Sequence, residues 1–202
     1  MLRIIAGEYK SRSLEAPEDS SVSRPYPGRV REAVFNLLRG WFDGARVLDL
    51  FAGVGSMGLE AVSRGAAQVV LIERDKRVYN LLKRNIDALG CSDRAEAVMA
   101  DAVGPMSAAR APRPLDIVFV DPPYPMMTDE RRRQTVLAQI ARLRVIMAVR
   151  GFIVLRSPVN PDAADFAIPG FDGPEARQYG DDMWVLLYSP AADESNMARL
   201  SP

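Results

Sequence analysis

Arg46-Val47-Leu48-Asp49-Leu50-Phe51-Ala52-Gly53-Val54-Gly55-Ser56-Met57-Gly58 runs from an apolar stretch through one carboxylate into a turn with glycines at 53, 55 and 58. A short β-prone run that ends in spaced glycines and then turns helical predicts a strand, a tight loop and a helix from about Ser56. The same alternation continues along the chain. QVVLIE (68–73) precedes a helical pattern over 75–89, then come AEAVMAD (95–101), LDIVFVD (115–121), a helical pattern over 129–149, and GFIVLR (151–156). Such alternation predicts an α/β fold, a doubly wound, mostly parallel sheet with helices on both faces. The last run, 184–189, follows Gly180-Asp181-Asp182, a turn too short for a crossover helix, so it should pair antiparallel with 175–179.

The chain has 202 residues, 26 Lys+Arg against 26 Asp+Glu, 48% hydrophobic residues, one cysteine and no histidine. These values fit one folded domain with a small extension. Without histidine there is no Ser-His-Asp triad, Cys-His pair or imidazole base. Chemistry must rest on carboxylates, backbone groups or a bound cofactor, and no metal site is expected. Cys91 has no possible disulfide partner within the chain, which suits a reducing compartment. Residues 1–10 carry Arg3, Glu8 and Lys10 where a signal peptide needs an apolar run, and no stretch of about 18 apolar residues occurs. A cytoplasmic protein without membrane association is expected.

Three regions are predicted. Residues 1–44 form a hairpin and an amphipathic helix over 29–42, separated by the Pro/Gly/Ser-rich stretch 16–28; residues 45–189 form the main domain; residues 190–202 form a disordered tail. Within the helix, Val30, Val34, Leu37 and Trp41 share one face. Seven arginines and no acid fall between 131 and 161, and Arg24, Arg29 and Arg31 are closely spaced. Clustered guanidinium groups suit phosphates, although with arginine dominating the basic residues throughout, no single one identifies an RNA contact.

The GxGxxG pattern at 53, 55 and 58, with Glu73 ending the second main strand 20 positions after Gly53, describes a dinucleotide site and an S-adenosylmethionine (SAM) site equally well. Three features favour SAM. Asp49 would face a cationic amino-acid group but repel a pyrophosphate. Asp101 ends the third strand, where a carboxylate can accept from an adenine amino group. An antiparallel last strand departs from the all-parallel dinucleotide sheet. The expected cofactor set is Asp49, Phe51, Gly53, Gly55, Gly58, Glu73 and Asp101.

The fourth strand runs straight into Asp121-Pro122-Pro123-Tyr124. Two prolines stiffen this turn and remove two backbone donors, so it offers acceptors. An exocyclic amine could donate one N–H to Asp121 and another to the Pro122 carbonyl, turning its lone pair toward a methyl donor. Asp121 would then stabilise the cationic nitrogen, and Tyr124 would stack on the base. Asp121, Pro122, Pro123 and Tyr124 are the expected catalytic residues.

These residues resemble the amino-methyltransferases bearing a (D/N/S)PP(Y/F) motif, and more closely the bacterial RsmD family of 16S rRNA guanine-N2 methyltransferases. The narrower resemblance rests on Arg3-Ile4-Ile5-Ala6-Gly7, on Arg24-Pro25 followed by Arg29-Val30-Arg31-Glu32-Ala33-Val34-Phe35-Asn36, on LDLFAGVGSMGLEAVSRGA, on FVDPPY, and on Tyr179-Gly180-Asp181. It implies SAM as cofactor, 16S rRNA or an assembling small ribosomal subunit as partner, a monomeric enzyme, and RNA contacts from Arg24, Arg29 and Arg31. Tyr26, Gly28 and Asp182 depart from the family's usual Thr, Asp and Thr. The DPPY chemistry alone would also serve adenine N6 in DNA or RNA, or a protein glutamine. An NAD(P)-dependent oxidoreductase and a noncatalytic RNA-binding module are the readings from other classes.

Overall fold

A computed structural model describes residues 2–17 and 28–192. A short antiparallel hairpin, β1 (Leu2–Arg3) with β2 (Ser13–Leu14), precedes α1 (Gly28–Leu37). The main sheet contains β3 (Arg46–Leu50), β4 (Gln68–Glu73), β5 (Ala95–Met99), β6 (Leu115–Val120), β7 (Met147–Ser157), β8 (Phe171–Gln178) and β9 (Trp184–Pro190). The helices between them are α2 (Gly58–Ser63), α3 (Lys76–Leu89), α4 (Pro105–Arg110), α5 (Tyr124–Thr128) and α6 (Glu130–Leu143).

The strand order is β5-β4-β3-β6-β7-β9-β8, parallel from β5 to β7, with β9 antiparallel between β7 and β8. Both faces of the central strands are buried, because successive side chains alternate sides and each side is covered by helices. Val47, Val69, Leu71, Ile117 and Phe119 join α1, α2 and α3 in one core, while Leu48, Val70, Ile72, Val118 and Val120 join α6 in the other.

Three boundaries differ from expectation. The first helix stops at Leu37, and a turn through Gly40 buries Phe42 against Phe35 (ring centroids 4.9 Å apart) while Trp41 lies edge-on to Phe152. The helix over 129–149 ends at Leu143. Residues 144–146 form one 3₁₀ turn, and Met147 already pairs with Leu115 in the ladder, so local helical spacing yields to strand pairing. At the other end, Pro190 is buried in β9, and the Ala191 N–H donates to the Gly170 carbonyl, so the tail begins later than 190. Residues 193–202 lie outside the described residues.

The hairpin is fastened to α2 by a carboxylate with no solvent exposure. Glu60 accepts from the Ile5 N–H (2.7 Å) and the Ala6 N–H (3.1 Å), and pairs with Arg64 (2.8 Å). Ser63 completes the clamp, its hydroxyl accepting from the Tyr9 N–H and donating to the Ala6 carbonyl, while its carbonyl accepts from the Glu8 N–H. Between these contacts Gly7 has φ +84°, and a Cβ there would lie 1.8 Å from the Ser63 backbone oxygen. Gly7→Ala should therefore undock the hairpin and lower stability by more than about 2 kcal/mol. Urea unfolding of the variant checks this, and a midpoint equal to wild type would contradict the docking.

Candidate active site

The ladder places three carboxylates at one edge. Asp49 sits opposite Leu71 on β4 and Phe119 on β6, and Glu73 and Asp121 lie two residues further along those strands on the same side of the pleat. This is the carboxyl edge, at the point between β3 and β6 where the winding of the sheet reverses and open α/β sheets bind ligands.

Asp49 is 1% exposed, and its Oδ2 accepts from the Gly58 N–H at 2.8 Å. Burial pushes its carboxyl up to about 8; the Gly58 bond opposes this, and the charges of Asp121 and Glu73 reinforce it. A side chain at 58 would place its Cβ 2.6 Å from Leu71 Cδ2 and 3.1 Å from Asp49 Oδ2, so the third glycine lets α2 close onto β3 and β4. Gly55 likewise faces the side chains of Leu59 and Leu82, which makes packing its immediate role. Phe51, a non-glycine residue with φ +63°, stands in the left-handed region where the strand leaves the sheet, a conformation costing about 1–2 kcal/mol and concentrated at functional loops.

Glu73 holds two elements together. Its Oε2 accepts from the Gly53 N–H (3.0 Å) and its Oε1 from the Asp75 N–H (2.7 Å), and Asp75 in turn caps α3 by accepting from the Arg77 and Val78 amides. Each Glu73 oxygen keeps a second acceptor position. Asp101 lies two residues beyond β5, exposed, with Oδ1 accepting from the Val103 N–H in the turn toward α4.

On β6 the chain passes from Val120 to Asp121, Pro122 is buried, and α5 starts at Tyr124. Asp121 Oδ1 is paired with Arg156 Nε, and the Arg156 guanidinium carbon lies 5.6 Å from the Tyr124 ring centroid. Burial pushes the Asp121 carboxyl up to about 6, and the charge of Arg156 and its hydrogen bond hold it below what burial alone would give. In the sequence Arg156 is one of seven arginines between 131 and 161, with nothing else to single it out than its place as a charge at the end of an apolar run.

The expected RNA contacts separate. Arg24 lies outside the described residues. Arg29 is exposed in the first turn of α1. Arg31 is only 3% exposed, donating to the Ser56 carbonyl (3.4 Å) and the Arg3 carbonyl, so it does not present its guanidinium to RNA at the surface. The reason is helical spacing: positions 31, 34, 35 and 38 form one face, and all four are buried. Arg133, in the basic tract, is also turned inward, donating to the Met127 carbonyl (2.9 Å) and lying over Phe166.

Residues 2–188 match the family model described as Conserved hypothetical protein 95. The chain is a member of this family, the RsmD family. It is 35% identical over 154 residues to the Bacillus subtilis protein named "Putative rRNA methyltransferase YlbH", covering 76% of this chain and 80% of that one. It is 43% identical over 123 residues to "Ribosomal RNA small subunit methyltransferase D" of Escherichia coli, spanning 61% of this chain and 60% of the relative. Among solved structures, "Putative methyltransferase yhhF" from Escherichia coli superposes with a TM-score of 0.78 at 31% identity, over 95% of this chain and 98% of that one. Like other RsmD-family members, the chain is a methyltransferase. Among the described residues, no helix is long and apolar enough to cross a membrane, and no cluster of three or more His, Cys, Asp or Glu side chains could hold a metal ion.

Asp49 gives this family member a pH signature. Its folded-state carboxyl lies above the ordinary 3.8, so the stability it contributes is complete below that value and is lost as pH rises to about 8. Asp49→Asn cannot ionise, and its Oδ1 can still accept from Gly58. The ligand-free variant should gain on wild type between about pH 5 and 8 and be more stable by about 1–3 kcal/mol at the upper end. Urea titrations across that range decide it, and parallel curves for the two proteins would show that Asp49 is not held protonated.

Proposed function

We propose that the protein transfers a methyl group from SAM to the exocyclic N2 amine of a guanine in small-subunit rRNA, with Asp121 as the group that receives the amine. The observation that carries this reading is the Asp121 carboxylate at the end of β6, paired with Arg156, which also overlies the Tyr124 ring, on the edge that holds the buried Asp49 of β3 and the half-buried Glu73 of β4. The names of the relatives support an rRNA substrate. Work on nascent or assembled small subunits would place the enzyme in the cytoplasm.

The cofactor follows from the charge of the cleft. The charges of Asp121 and Glu73 both disfavour the Asp49 carboxylate, and nothing among the three would welcome a pyrophosphate. A ligand with positive charge would relieve that repulsion, which supports SAM over a dinucleotide. Asp49 would face its amino-acid end, Glu73 its ribose hydroxyls and Asp101 its adenine, with Phe51, Gly53, Gly55 and Gly58 shaping the loop around it. When bound, SAM supplies a methyl group activated by its sulfonium.

The remaining chemistry belongs to the chain. The lone pair of an exocyclic amine is delocalised into the base, so acceptors that draw both N–H groups aside expose it for attack. Asp121 and the Pro122 carbonyl would be those acceptors, while Tyr124 stacks on the base. As nitrogen gains the methyl group it becomes cationic, and the Asp121 carboxylate stabilises that charge and takes one proton, leaving a neutral secondary amine. A cationic aryl-type nitrogen is strongly acidic, so a carboxylate is a sufficient base and no imidazole is needed.

The test is transfer of labelled methyl from SAM to small-subunit particles lacking their native methyl groups, followed by nucleoside analysis. N2-methylguanosine is expected, and N6-methyladenosine would overturn the substrate. Asp121→Asn should lower turnover by about 10²–10³ with SAH affinity retained. Glu73→Ala should weaken SAH binding by about 1–3 kcal/mol, measured by calorimetry, and an unchanged affinity would misplace the ribose.

RNA binding has its own expected outcome. Arg29→Ala should reduce the slope of log affinity against log salt by about 0.7–0.9 and leave stability intact. Arg31→Ala should instead lower the melting temperature, since it empties a buried site. A salt slope that responds to position 31 but not to 29 would reverse the assignment.

A further inference from the structure

Arg156 touches both groups that would meet the target base. Its strand is paired so that Leu155 stands opposite Val120, which sets Arg156 beside Asp121 one step further along. Its side chain is 6% exposed and that of Asp121 is 17% exposed. A guanidinium this deeply buried is tolerated only where it is paired. Here the pairing is directional: Nε donates to Oδ1 of Asp121, and the guanidinium carbon lies on one side of the Tyr124 ring.

We propose that Arg156 is a positioning residue for methyl transfer, holding Asp121 with Oδ1 turned toward β7 so that Oδ2 meets the amine, and occupying one side of Tyr124 so that the base stacks on the other. This rests on the function proposed above and deepens it. Arg156 also decides whether Asp121 is charged when the base arrives. The groups around Asp121 are Arg156 from β7, which acts on it directly, Tyr124 at the start of α5, which Arg156 overlies, and Asp49 from β3, on which Asp121 and Glu73 from the end of β4 both act. Burial is what disfavours the Asp121 carboxylate, and Arg156, by its charge and its hydrogen bond, is what opposes burial. Removing Arg156 raises the pH at which Asp121 ionises, so the acid limb of the activity profile moves to higher pH.

Three proteins separate charge from geometry: wild type, Arg156→Gln and Arg156→Lys. Turnover is followed from about pH 5.5 to 9 on unmethylated small-subunit particles, and the Asp121 carboxyl is titrated without substrate by carbon-13 NMR, its signal assigned by its loss in Asp121→Asn. In Arg156→Gln, turnover at neutral pH should fall by about 10–100-fold with SAH affinity within about twofold of wild type. Its acid limb and its NMR titration should both move up by about one pH unit or more. Arg156→Lys restores the cation without the planar fork, so the limb should return toward wild type while turnover recovers only in part.

The inference is overturned if Asp121 titrates at the same pH in Arg156→Gln as in wild type, or if the Gln and Lys variants share one pH profile. A wild-type enzyme that methylates no RNA would overturn the proposed function instead. The NMR titration, which needs no substrate, would then by itself support or overturn the hold of Arg156 on Asp121.

Discussion

The bond from the Gly58 N–H to the Asp49 carboxylate, buried and 2.8 Å long, joins the end of the first parallel strand to the first turn of the helix that follows it. Everything near the cleft is referred to that junction. It fixes the origin of α2, and α2 carries Glu60 and Ser63, which hold the N-terminal hairpin by its backbone. Two further side chains, one from α1 and one from α3, tie the N-terminal region to the glycine loop itself. Arg31 bridges the Arg3 and Ser56 carbonyls, and Asn85 bridges the Glu15 backbone and the Val54 carbonyl at 3.0 Å. Loop and hairpin are therefore one mechanical unit, and a substrate held by the N-terminal region would be held in fixed relation to the cofactor loop.

The same junction is expensive. A carboxylate as buried as Asp49 with a single amide donor is far from compensated, and two neighbouring acids add to the cost. Proteins retain such arrangements where binding requires them, accepting lower stability in the empty state. The cleft solves the problem unevenly. Asp121 has Arg156, and Glu73 has two backbone amides and partial exposure, whereas Asp49 has one amide and burial holds its carboxyl far above the ordinary range. On the proposed reading with SAM as cofactor, that asymmetry would let the site select its ligand by charge.

Much of this was legible in the amino-acid sequence because it depends on position along a strand. Asp49, Glu73 and Asp121 end or nearly end apolar runs, and parallel pairing necessarily brings such ends to one edge. What was not legible depends on contacts between distant segments. Arg31 and Arg156 read as surface charges, since nothing local says that a backbone carbonyl or an aspartate awaits a guanidinium in the interior. The apolar spacing of α1 points to Leu37 and Trp41 because a charged residue stands on the buried face, which carries Arg31, Phe35 and Leu38. Met147 to Val149 continue a helical pattern in the sequence, but β7 begins at Met147, which pairs with Leu115 of β6. The glycines were recognised correctly as a tight loop, but Gly55 and Gly58 are required by leucines packed behind the loop as well as by any ligand in front of it.

For the proposed transfer, a chain without histidine has to rely on a carboxylate as base, and the surroundings set how strong that base is. Burial does this for Asp121, raising its carboxyl to about 6, yet burial carried further would neutralise it and remove the acceptor that the amine needs. The two demands pull in opposite directions, and a nearby cation is the simplest way to stop between them. Arg156 suits that task better than lysine because it stays charged when desolvated, and because its plane can pair with a carboxylate edge and lie against an aromatic ring at once. On the proposed mechanism the cleft tunes Asp121 by setting desolvation against one fixed charge, supplied by a residue from the strand next to the one that leads into Asp121.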